Sequence, residues 1–77
     1  MWMAEVTYKG FSFHLDELVR GEATKENGIE SSSGYCFLDK TRDLLFSFPR
    51  RCMAQSFKKR IKKLGLPEVV TITSWKE

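Results

Sequence analysis

From Trp2 to Tyr8 the chain alternates: Trp2, Ala4, Val6 and Tyr8 fall on one side, and Met3, Glu5 and Thr7 on the other. A period of two predicts a half-buried strand. Lys9-Gly10 follows as a turn, and Phe11, Phe13 and Leu15 then alternate with Ser12, His14 and Asp16, which predicts the second arm of a hairpin. Past Leu15 the spacing of Leu15, Leu18 and Val19 suits a helical turn as well as a strand end. The stretch 21–34, GEATKENGIESSSG, has three glycines, three serines and only Ala23 and Ile29 as apolar residues. It predicts a long mobile loop and a second candidate contact surface.

Alternation resumes at Tyr35 and Phe37, crosses a polar turn at Asp39–Asp43 and continues through Leu44, Phe46 and Phe48, which predicts a second hairpin. Pro49 cannot donate a ladder hydrogen bond but suits the opening turn of a helix, so a helix is expected from about Arg50. At about 100° per residue, Met53, Ala54, Phe57, Ile61 and Leu64 gather into one apolar stripe. Gly65 stands where a left-handed cap belongs and Pro67 blocks continuation. Val69–Trp75, VVTITSW, is β-branched and aromatic, as a last strand would be. The expected fold is therefore α+β: an antiparallel sheet of about five strands with one amphipathic helix on one face, in the order ββ-loop-ββ-α-β.

Composition narrows this picture. Seventy-seven residues, 42% of them hydrophobic and 30% charged, make one globular domain with a single modest core. Such a small core leaves a homodimer or a core-completing partner open. No run of about eighteen apolar residues and no secretory signal pattern is present, so a cytoplasmic protein is expected. Cys36 and Cys52 fit neither a disulfide framework nor a paired zinc spacing and read as small buried hydrophobes.

Charge is what singles out one element. Residues 1–49 carry a net −3, residues 50–66 carry +7 with no acid at all, and residues 67–77 carry −1, so the net +3 of the chain conceals a dipolar molecule. On the helical wheel Arg51, Lys58 and Lys62 form one row and Lys59 and Lys63 another, both away from the apolar stripe, while Arg60 borders it. A solvated outer face would account for lysines, but Lys58 with Lys62 and Lys59 with Lys63 are like-charge pairs at i,i+4, each costing roughly 0.2–0.5 kcal/mol. Such a row suits a polyanion, because each neutralised phosphate releases condensed counterions.

Other motifs carry less. Lys9-Gly10-Phe11-Ser12-Phe13-His14 is similar to the aromatic RNA-binding motif of cold-shock and RNA-recognition domains, which would imply base stacking on exposed rings. The register instead places Phe11 and Phe13 with Leu15 on a core face. Gly34–Asp43 with the helix after it faintly resembles the sheet-plus-helix arm-binding domains of phage-type integrases, where the sheet would enter the groove. His14 is the sole histidine, Asp16, Glu17, Asp39 and Asp43 flank turns, and no phosphate-binding Gly-Lys-Ser/Thr signature is present. No enzyme, cofactor or metal is implied.

The functional expectation is a small non-enzymatic regulatory protein that contacts DNA or RNA through Arg51, Lys58, Lys59, Lys62 and Lys63, with Arg50 assisting. The alternative is a protein-binding inhibitor or adaptor of mobile-element (phage) type that targets a host complex, such as a nucleic-acid-handling defence complex. It would use the same cations against an acidic surface, or a sheet edge anchored by Trp2 and Trp75.

Overall fold

The alternation at the amino end forms strand β1, Trp2–Lys9, in a computed structural model that describes all 77 residues. Helix α1 (Phe13–Lys25), strands β2 (Ile29–Cys36) and β3 (Thr41–Phe48), helix α2 (Arg51–Leu64) and strand β4 (Val69–Lys76) follow. The four strands make one antiparallel sheet in the order β2-β3-β1-β4. Each helix therefore joins two parallel strands between which an antiparallel one is inserted, a split β-α-β arrangement used twice. The class is α+β, as expected, but with four strands and two helices in the order βαββαβ.

Two corrections follow from one cause. Phe11, Phe13 and Leu15 do not form a hairpin arm, because Ser12 adopts an extended N-cap conformation and its hydroxyl accepts the Leu15 backbone N–H at 3.3 Å, starting α1. Nor is 21–34 one long loop: it comprises the end of α1, a tight turn and most of β2. Gly28 in that turn donates its N–H to the Ala23 carbonyl at 2.8 Å and lies so close to the buried Phe48 ring that a Cβ built on it would sit 2.5 Å from Cε1.

From Leu44 onward the structure agrees with the pattern, but the hairpin turn lies at Phe37–Lys40 rather than Asp39–Asp43, so Phe37 falls outside the strand and Arg42 and Asp43 fall inside β3. Leu44, Phe46 and Phe48 are buried on one face of β3, and Gly65 caps α2 in the left-handed region at φ 62°, where a glycine has no Cβ penalty. One core cluster joins Ala4, Val6 and Tyr8 of β1 to Val19 and Ala23 of α1, Leu44, Phe46 and Phe48 of β3, and Ala54, Phe57 and Ile61 of α2. The Phe57 ring meets Phe46 and Phe48 at centroid distances of 5.3 and 5.2 Å. The two cysteines are free, but Cys36 is half-buried and Cys52 exposed, so neither is the buried hydrophobe expected. No helix is long and apolar enough to cross a membrane.

Both helices cover the same sheet face and run antiparallel, so their amino ends lie at opposite ends of the sheet. This separates His14, in the first turn of α1, from Cys52, in the first turn of α2. The tryptophans are separated too. Trp2 pairs with Lys76 and packs against the core, whereas Trp75 pairs with Met3 and points from the uncovered face, so they do not anchor one common surface.

Candidate polyanion-binding face of α2

α2 is held by Ala54, Phe57 and Ile61, which bury its inner face and fix what the remaining positions present outward. The Gln55 side-chain amide donates to the Ser74 hydroxyl at 3.4 Å, so the ridge Arg51, Gln55, Lys58, Lys62 runs along the flank above β4. On the other flank, Ser56, Lys59, Arg60, Lys63 and Leu64 meet Glu22 of α1 around an open groove of about 530 Å³. The two rows of cations seen on the wheel thus lie on either side of one helix crest.

Pairing separates these cations from the arginines of the rest of the molecule and from Arg60, although Lys9, Lys40 and Lys76 are also without an ion pair. Arg20 bridges to Glu30 at 2.6 Å and to Glu17, Arg42 bridges to Asp16, and Arg60 bridges to Glu26 at 2.5 Å and Glu22 at 3.6 Å. Arg50, Arg51, Lys58, Lys59, Lys62 and Lys63 form no ion pair. All six are exposed except Lys58, which is half-buried. The hydrogen bond to Glu26 raises the Arg60 guanidinium further above its ordinary range, with Glu22 adding to it. Arg60 thereby ties α2 to α1 and leaves the free set.

The amino end of α2 adds to the imbalance. Arg50 occupies the N-cap with no side-chain cap hydrogen bond, and no acid lies in the first turn. A cation there is opposed by the helix dipole by about 0.3–1 kcal/mol, so folding alone does not favour this choice. Arg51 has a partial structural role, since its guanidinium carbon lies 5.6 Å from the Trp2 ring centroid.

The sequence did not show that a second helix would supply Glu22 and Glu26 and so remove Arg60 from the cationic surface. It also did not show an aromatic cluster at the far end of the sheet. Phe11 and Phe13 are exposed, contrary to the core placement expected, because the chain leaves β1 at Gly10 and Phe13 opens α1. Their edge-to-face contact at 5.9 Å continues through Phe11–Tyr35 at 6.1 Å to Tyr35–Phe37 at 5.2 Å. Nowhere do three His, Cys, Asp or Glu side chains converge as metal ligands would. No protein-family model matches the chain, and no curated protein matches it in sequence.

Proposed function

We propose that the protein is a small non-enzymatic regulatory protein that binds the phosphate backbone of DNA or RNA through the outer face of α2. The observation that carries this reading is the contrast within one helix: Arg60 takes two carboxylates from α1, while Lys58, Lys59, Lys62 and Lys63 take none. Backbone contacts of this kind position a protein without reading sequence, so affinity for unrelated sequences should be similar.

Neutralising about four phosphates makes binding weaken roughly 50- to 150-fold between about 50 and 200 mM salt, the lower figure for single strands and the higher for duplex. Titration of fluorescent oligonucleotides tests this, with Lys58→Glu/Lys62→Glu expected to abolish binding while leaving the fold intact. Binding that is absent or indifferent to salt sinks the reading. The competing partner, an acidic protein surface of a host complex, uses the same cations. It is distinguished by affinity capture with and without nuclease, because only a protein partner survives the digestion.

A further inference from the structure

The end of the sheet where β1 passes into α1 and β2 turns into β3 carries the largest apolar exposure in the molecule: Phe11 is 54% exposed, Phe13 73%, Phe37 84% and Leu38 95%. Contiguous exposed patches of this kind mark contact sites in soluble proteins. We infer that this aromatic end is a self-association surface, and that a second copy of the chain covers it in a two-fold dimer.

The rings of the patch already pack on one another before any partner arrives. Gly10 donates its N–H to the Lys40 carbonyl at 2.7 Å, fixing the β1–α1 connection to the hairpin turn. Beneath the rings, the Arg42 guanidinium carbon lies 4.9 Å from the Phe11 centroid and is itself held by Asp16. The ring contacts then chain Phe13, Phe11, Tyr35 and Phe37 into one block. Little ordering remains to oppose association.

Area and charge select the occupant. At about 200 Å² for an aromatic side chain, the three phenylalanines leave roughly 400 Å² uncovered per copy, and Leu38 enlarges this. Two such surfaces together come close to the floor of about 1,000 Å² for a biological interface, which suits a weak dimer, and a second copy supplies the matching apolar area by symmetry. Asp39 and Lys40 stand side by side in the turn, both exposed, so a two-fold arrangement that sets Asp39 of one copy against Lys40 of the other is available. A nucleic-acid strand would meet the Asp39 carboxylate there instead. None of the unpaired cations of α2 takes part in the ring contacts that make the patch.

The test is sedimentation equilibrium on nucleic-acid-free protein, which separates this inference from the polyanion reading because no ligand is present. The chain should sediment at twice its 9.0 kDa mass at tens of micromolar, and Phe37→Ser/Leu38→Ser should sediment as a monomer with an unchanged far-UV circular dichroism spectrum. Val70→Ser, at an exposed position on β4, should remain dimeric. Should the double variant fail to fold, Phe13→Ser alone is expected to weaken dimerisation at least tenfold. A wild-type monomer up to about 200 µM overturns the inference, as does a folded patch variant that dimerises like the wild type.

Discussion

Arg42 of β3 grips Asp16 of α1 in a two-point contact, Nη2 to Oδ2 at 2.9 Å and Nε to Oδ1 at 3.4 Å, with both residues buried. The third guanidinium nitrogen donates to the Gly34 carbonyl of β2 at 3.3 Å, so one side chain joins three elements. Removing one partner strands the other's charge in the interior. Asp16→Ala or Arg42→Ala should therefore lose about 3–5 kcal/mol in urea unfolding. A double replacement by well-packed apolar residues should recover most of that loss; recovery of none of it would show that the pair is not the source of the cost.

Tyr8 presents the opposite case. Its side chain is completely buried, but its hydroxyl has no hydrogen-bond partner. Because an unsatisfied buried polar group is costly, Tyr8→Phe should be neutral or raise stability by up to about 1 kcal/mol. A clear drop in the thermal midpoint would reveal a partner for the phenol.

Gly28 is fixed by proximity. A methyl there would lie 2.5 and 2.8 Å from the Phe48 ring and 3.0 Å from the Ala23 carbonyl oxygen. Phe48 is fully buried and cannot swing aside, so Gly28→Ala should cost roughly 1–3 kcal/mol. Gly21→Ala, with open space around it, serves as the control and should be neutral or stabilising by about 1 kcal/mol.

The α1–α2 seam has an acid limb. The hydrogen bond from Lys25, and then Arg60, hold the Glu22 carboxyl below its ordinary value of 4.5. A depressed carboxyl contributes stability that is present above the unfolded value and lost as pH falls through the folded one. Glu22→Gln should thus melt roughly 1–4 °C lower than wild type at pH 7, and the gap should close as pH drops below about 4.5. A gap that widens in acid would contradict this assignment.

The elements built on strong periodicity were legible in the chain: β1, β3 from Leu44 onward, α2 with its Gly65 stop, and β4, whereas of β2 only Tyr35 and Cys36 were read as strand. α1 was not, because its buried face is Asp16, Val19 and Ala23, and an aspartate reads as core only once Arg42 is known to meet it. The Ser12 cap was the available signal, masked by the accidental alternation of Phe11, Phe13 and Leu15. For the site, the cationic rows of α2 were visible as spacing, whereas the loss of Arg60 to Glu22 and Glu26 needed the helix that the pattern concealed. The aromatic end was hidden for the same reason, since rings assigned to a strand are assigned to the interior.

The antiparallel pairing of an acid-bearing α1 with an α2 free of acids has a kinetic meaning. If α2 binds a phosphate backbone as proposed, such a body would experience a torque in that field and would arrive already turned with α2 leading. Salt should then slow capture far more than it hastens release, so the ionic-strength dependence of binding should reside mainly in the association rate constant.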